Sequence, residues 1–357
     1  MEKPEDLKAL TSLRFVAAFA LLLHHMRGHF GIAYDFTHIP LGSGVSFFFV
    51  LSGFILAHVY RSKVNWKRFY LARFARLWPS HLLCLVLAAV LIGDVTGAQS
   101  SFEYISRFIA SVFLVQAWWP DFRLIFSFNS VSWSISTEVF FYLFFPLILW
   151  SRLFGLLFSV LLLVGAIGIC IWLQLPPYTS ALTGELTSTA VLYINPLARV
   201  FEFAFGVTAY PLWRYLKGRL RPALWYALRI ISVALLATSL VFWKEILHFV
   251  YMFGGRYTAI WFAQSGLCIV AILWVVAFAN AKSIFSWKVS VFLGNISFAL
   301  YMCHQIILRF ITSLNLEFSD NVSISIYLML VFFFSILLWR FELTAKKWVM
   351  QPTLFRD

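Results

Sequence analysis

The side chains best suited to chemistry lie inside apolar runs. The first run, LRFVAAFALLLHHM, covers residues 13–26 and keeps Arg14, His24 and His25. Over the eleven residues from Arg14 to His25 a helix makes almost three whole turns, so both side chains share one face, about 16 Å apart. His24 points roughly 80° away from that face. An imidazole at one end of such a track can move a proton or attack an acyl carbon. A guanidinium at the other can hold an anion. The spacing fits equally an arginine that snorkels to one surface and a histidine at the other.

Three more runs carry polar stripes. In NSVSWSISTEVFFYLFFP, residues 129–146, Ser134 and Glu138 are i and i+4, hence neighbours on one face. Glu138 lies about two turns into its span, where a lone carboxylate costs roughly 2.5–3.5 kcal/mol on insertion scales. It therefore needs a partner or a proton, and both catalysis and a structural ion pair satisfy that need. In NPLARVFEFAFG, residues 195–206, Arg199 and Glu202 are i and i+3 and can pair with each other, which favours a structural role. In LGNISFALYMCH, residues 293–304, Ser297, Tyr301 and His304 form a stripe at 4-then-3 spacing. His304 suits a proton relay or an interhelix hydrogen bond. Ser134, Arg199, Tyr301 and His304 stand as candidate substrate-binding residues.

The elements that must position these residues are membrane helices. The chain has 357 residues, 62% of them hydrophobic and only 12% charged, with a mean hydropathy of +0.85. A soluble protein of this length cannot hide so much apolar surface. Apolar spans cover approximately 10–27, 42–60, 77–95, 131–150, 153–174, 191–213, 223–243, 257–279, 289–312 and 323–340. Each is long enough to cross a bilayer, and none shows the alternation of a β-barrel strand. Arg14 interrupts the first run and no clear cleavage site follows, so this run reads as a helix, not a leader. Cys84, Cys170, Cys268 and Cys303 fall inside spans and show neither a disulfide framework nor metal-ligand spacing. No metal is expected.

The net charge of +13 would suggest nucleic acid in a soluble protein. Here the basic residues cluster between spans and set topology, so no nucleic-acid partner is expected. Arg61, Lys63, Lys67, Arg68, Arg73 and Arg76 lie in 61–76. Arg214, Lys217, Arg219 and Arg221 lie in 214–221. Lys282 and Lys288 flank a third loop, and Lys346, Lys347 and Arg356 follow the last span. Placing all four clusters in the cytoplasm leaves no room for a crossing within 96–130. The apolar piece 104–119, which carries Arg107, is then re-entrant or interfacial. The expectation is an all-α, polytopic integral membrane protein of about ten transmembrane helices, both termini cytoplasmic, in one domain over residues 1–357.

This topology puts Arg14 and the basic segment 61–76 on the inner side. His25, Glu138, Arg199 and His304 fall toward the outer half. A basic inner surface with a polar track leading outward suits an anionic donor with a long arm, and coenzyme A has that shape. Topology plus contact with lipid headgroups accounts for the same basic residues.

The chain resembles the membrane-bound acyltransferase-3 family, which includes bacterial O-acetyltransferases of lipopolysaccharide and exopolysaccharide. The resemblance rests on LRFVAAFALLLHH, with ten residues between Arg14 and His25. It rests also on GSGVSFFFVLSGFIL at 42–56, KRFYLARFARLWP with Arg68, Arg73, Arg76 and Pro79, and WSISTEVFFYLFFP with Ser134, Glu138, Tyr142 and Pro146. LGNISFALYMCH adds a fifth, weaker match. Many relatives carry an extra span and an extracytoplasmic hydrolase-like domain, and the sequence to Asp357 shows neither.

The resemblance implies acyl transfer, usually of acetyl, from acyl-CoA to a carbohydrate hydroxyl, with the acceptor free or lipid-linked. Arg14, Arg68, Arg73 and Arg76 are then expected to hold the donor. His25 is expected to act as general base with Glu138 orienting it, an acyl-histidine intermediate being the competing route. The expected location is the inner (plasma) membrane. The alternative from another class is a proton-coupled transporter of a lipid-linked sugar or small metabolite, whose buried Glu and His would carry protons. No inverted repeat supports it.

Overall fold

The computed structural model describes residues 6–27, 29, 39–60, 64–177, 184–314 and 320–350. Arg61, Lys63 and Arg356 lie outside the described residues. In chain order the helices are α1 (Lys8–Met26), α2 (Gly44–Val59), α3 (Trp66–Leu91), α4 (Ser101–Val112), α5 (Phe122–Ile125), α6 (Trp133–Trp150), α7 (Arg152–Trp172), α8 (Pro196–Lys217), α9 (Pro222–Val241), α10 (Trp243–Ser265), α11 (Cys268–Phe278), α12 (Lys288–Ser313) and α13 (Asp320–Val349). Among the described residues there is no strand, and ten helical stretches are long and apolar enough to cross a membrane.

Two differences from the sequence reading stand out. Residues 66–76 are not a loop; they are the first three turns of α3. Asn65 starts the helix, its side-chain oxygen accepting the Arg68 N–H at 3.0 Å. The charged residues hid this start from an apolar-span reading. The second difference is α10, which begins at Trp243, well before the expected span at 257, and breaks at Gly255 with φ 77°.

The piece 104–119 does not cross. Its helix α4 has 12 residues, about 18 Å of rise against a hydrocarbon core of about 30 Å. One face exposes Phe102, Ile105 and Ile109. The other buries Arg107, which reaches Asp94 at 2.7 Å and also pairs with Glu103. The Gln99 N–H and the Arg107 guanidinium hold the Glu103 carboxyl below its usual range. At its far end, Trp78 donates to the Val112 carbonyl at 3.1 Å and His81 to the Ser111 carbonyl at 2.7 Å. These bonds satisfy carbonyls left open by the helix terminus.

Two close, parallel crossings set the frame of the site. A Cβ on Gly53 would sit 2.0 Å from the Phe203 carbonyl oxygen, and one on Gly206 would sit 1.9 Å from that of Val50. Only glycine lets α2 and α8 approach so closely. Along this seam Ser46 meets Glu202 and His58 packs against Trp213, so the two helices run in the same direction. Gly294 makes the second crossing, where a Cβ would lie 2.1 Å from the Thr11 carbonyl. With Thr11 beside Gly294 and His25 beside His304, α1 and α12 also run parallel. The starts of α1, α3 and α12 and the ends of α8 and α13 therefore share one end of the bundle. The described members of the four basic clusters gather at this basic end.

Candidate active site

The α1 face that the spacing picks out points inward at two depths. Near the basic end Arg14 lines a cavity of about 210 Å³, together with Arg73, Arg76, Lys346 and Glu138. Arg73 and Arg76 share one face of α3 because they are i and i+3. Aromatic rings brace them. The Arg73 guanidinium lies 5.8 Å from the Tyr142 ring centroid and 6.0 Å from that of Phe69, and Arg76 lies 5.7 Å from Phe298. The Glu138 carboxylate accepts hydrogen bonds from Ser52 at 2.6 Å and Tyr142 at 2.7 Å. Four cationic side chains face one carboxylate, so the lining of the cavity carries a net positive charge.

At the opposite end His25 lines a second cavity of about 300 Å³, with Thr96, Ser130, Trp133, Gln305 and Arg309. Its Nδ1 lies 2.8 Å from His304 Nε2. His304 Nδ1 lies 2.8 Å from the Tyr301 carbonyl and 3.2 Å from that of Leu300. A carbonyl only accepts, so His304 carries its proton on Nδ1. For the neutral ring, Nε2 of His304 is then an acceptor, and His25 Nδ1 must donate to it. That leaves the lone pair of His25 on Nε2, a base oriented by a hydrogen-bonded neighbour.

The two cavities meet at a polar bridge. Ser134 and Tyr301 both line the basic cavity, and their hydroxyls lie 2.8 Å apart. The Tyr301 hydroxyl also lies 3.0 Å from the Val131 carbonyl, and Val131 lines the His25 cavity.

The structure sorts the expected residues. Arg14, Arg73, Arg76, Ser134, Glu138 and Tyr301 come together around the basic cavity, while His25 pairs with His304. The expected His25–Glu138 pairing is not formed. Glu138 lies four residues beyond Ser134 on α6, about 6 Å nearer the basic end, whereas His304 lies beyond Tyr301 in the other direction. Two further residues stay out of the cavities. Arg68 is exposed at the start of α3. Arg199 is fully buried against Glu202 at 2.9 Å, with further bonds to Ser46 and the Tyr193 carbonyl. It staples α8 to α2. Sequence reasoning missed Ser52 and Lys346 in one cavity and Gln305 and Arg309 in the other. Arg309 carried a usable signal as an ionisable residue inside an apolar span; Ser52 carried none beyond its place in a motif.

The chain is similar to known acyltransferases. A sequence-family model described as an acyltransferase domain matches residues 7–340. The acyltransferase MdmB of Streptomyces mycarofaciens is 30% identical over 327 residues, covering 85% of this chain and 79% of the relative. The O-acetyltransferase OatA of Staphylococcus aureus (strain NCTC 8325 / PS 47) is 24% identical over 341 residues, covering 88% of this chain and 52% of the relative. The chain thus spans about half the length of OatA. No solved structure matches. Ten helical stretches among the described residues that are long and apolar enough to cross a membrane, and a family match over nearly the whole chain, identify a multi-pass membrane enzyme that belongs to the acyltransferase-3 family.

Proposed function

We propose that this enzyme is an O-acetyltransferase that takes acetyl from acetyl-CoA on the cytoplasmic side. On this reading it places the acetyl group on a hydroxyl of a cell-surface sugar, an exopolysaccharide or a lipid-linked precursor, at the inner (plasma) membrane, with the described domain acting as one unit. The observation that carries the reading is the pairing of a polycationic cavity at the basic end with an oriented imidazole at the other. Arg14, Arg73, Arg76 and Lys346 would bind the donor phosphates, and the positive-inside rule puts that end in the cytoplasm. His25 Nε2 would take the proton of the acceptor hydroxyl as its oxygen attacks the thioester carbonyl. The C–S bond then breaks, and the protonated His25 returns the proton to the leaving thiolate. His304, not Glu138, fills the orienting role. Glu138 holds Ser52 and Tyr142 and balances the cations around the donor.

The test is reconstitution in nanodiscs with radiolabelled acetyl-CoA and a soluble glycoside acceptor, with the product read by NMR. Acetyl ester on the sugar that depends on His25 supports the reading. Proton-coupled solute uptake into vesicles without any ester would replace it with transport.

A further inference from the structure

Two polar side chains in the wall of the cavity around His25 each carry an unpartnered atom. Gln305 Oε1 and Arg309 Nη1 are buried, and neither has a hydrogen-bond partner. They are i and i+4 on α12, so they face the same way, and both line this cavity with His25. Arg309 is the one charged residue among the lining residues, and no carboxylate lies among them. The described carboxylates nearest in sequence to this wall are engaged elsewhere: Asp94 pairs with Arg107 and Asp121 with Arg123. Arg309 also sits within electrostatic range of His25 and His29. Among the described residues the partly buried Arg309 guanidinium has no carboxylate partner, so ligand charge is the natural complement.

We infer that this cavity is an acceptor subsite for an anionic sugar, Arg309 binding its phosphate or carboxylate and the Gln305 side chain hydrogen-bonding one of its hydroxyls. The inference rests on the acetyl-transfer reading and adds the acceptor's charge to it. The remaining lining residues fit the rest of such a ligand. Trp133 offers an apolar wall. The volume of about 300 Å³ lies at the lower end for a small-molecule site, enough for one sugar unit. The bound unit would lie beside His25 Nε2, so the acylated hydroxyl belongs to the residue that carries the anion.

The experiment compares methyl hexoside, methyl hexuronoside and hexose 1-phosphate as acceptors in nanodiscs with acetyl-CoA. One charge-assisted contact predicts a preference of roughly tenfold or more in kcat/KM for an anionic acceptor over the neutral one. The hexuronoside and the phosphate tell the two sources of charge apart. Arg309→Gln should bring that preference to about one. Gln305→Glu places a carboxylate one turn from Arg309 and should do the same, which guards against a folding defect in the first variant. Equal use of neutral and anionic sugars by the wild type, or a preference that survives both substitutions, overturns the inference. If no acceptor is acetylated, the transfer reading fails by itself. Equilibrium binding of labelled hexose 1-phosphate then decides the subsite: saturable binding lost in Arg309→Gln sustains it, and no saturable binding removes it.

Discussion

Replacing His304 with alanine should slow acetyl transfer without abolishing it. In the native site the His25 Nδ1 proton goes to His304 Nε2 at 2.8 Å. Alanine leaves that donor inside a buried wall. An unsatisfied buried donor costs about 1–3 kcal/mol. The ring escapes that cost by turning or by changing tautomer, and either response takes the Nε2 lone pair away from the acceptor. Converted to rate, the loss in kcat is about 5- to 150-fold. His25→Ala removes the base itself and should cost about 10²- to 10⁴-fold. The double variant should be no slower than His25→Ala, because two members of one unit are not additive. His304→Gln should restore part of the rate, since its amide oxygen can reach the place of Nε2. His304→Leu, which fills the space but cannot accept, should not. The assay is single-turnover acetyl transfer in nanodiscs, with donor binding measured separately. The reasoning fails if Leu rescues as well as Gln, or if the two single losses multiply in the double variant.

His24 packs edge-on against His25 at 5.3 Å, beside Gly42 and outside the lining of either cavity. His24→Ala should therefore keep most of the activity that His25→Ala loses, and a reversed ranking in the same assay would dismiss the helical-face argument. Arg14→Ala and Arg73→Ala should each weaken acetyl-CoA binding about tenfold, the size of one charged hydrogen bond. Arg68→Ala should change it little, which titration with a fluorescent acyl-CoA can measure. Glu138→Gln keeps an acceptor for Ser52 and Tyr142 but loses the negative charge. With one negative charge fewer beside a polyanion, it should lower the donor KM or leave it unchanged, and leave the pH midpoint of kcat in place; a moved midpoint would restore the His25–Glu138 partnership. Arg199→Ala should destabilise the fold by about 3–5 kcal/mol by leaving Glu202 buried alone, while Arg199→Met with Glu202→Leu should cost much less. Thermal unfolding in detergent gives that ranking.

The helices were legible in the sequence because a bilayer demands long apolar runs, and their number followed from the charge rule once 104–119 was denied a crossing. The face shared by Arg14 and His25 was legible too, since both facts depend only on helical period. Partnership between helices was not. Ser134, Glu138, Tyr301 and His304 were each visible as polar residues at depth, but their pairing depends on how far α6 slides along α12. Arg14 and His25 lie almost three turns apart, about 16 Å, so that slide decides which of the two Glu138 meets. Gly53, Gly206 and Gly294 fix that kind of offset, and a glycine in an apolar span does not name the carbonyl it meets. Arg199 shows the opposite case. Its i,i+3 partner Glu202 was readable locally, while its bonds to Ser46 and the Tyr193 carbonyl were not.

The Ser134–Tyr301 bridge gives the two cavities their chemical meaning. Beside a general base, water competes with the acceptor hydroxyl for a thioester, so an enzyme with a cytoplasmic donor and an external acceptor must keep both solvents from the reacting carbon. Here the basic cavity and the His25 cavity are held apart by hydroxyls that bond to each other and to the Val131 carbonyl. The parallel packing of α1 with α12 places this bridge between Arg14 and His25 on a continuous wall. A donor arm that displaces the Tyr301 hydroxyl would bring its carbonyl to the His25 side while its own bulk fills the path behind it. The same hydroxyls that part would then be free to bond the arm, so opening the bridge exchanges hydrogen bonds and does not simply lose them. On the acetyl-transfer reading the polar stripe on α12 would have separate tasks along its length: Tyr301 would close the path and His304 would aim the base.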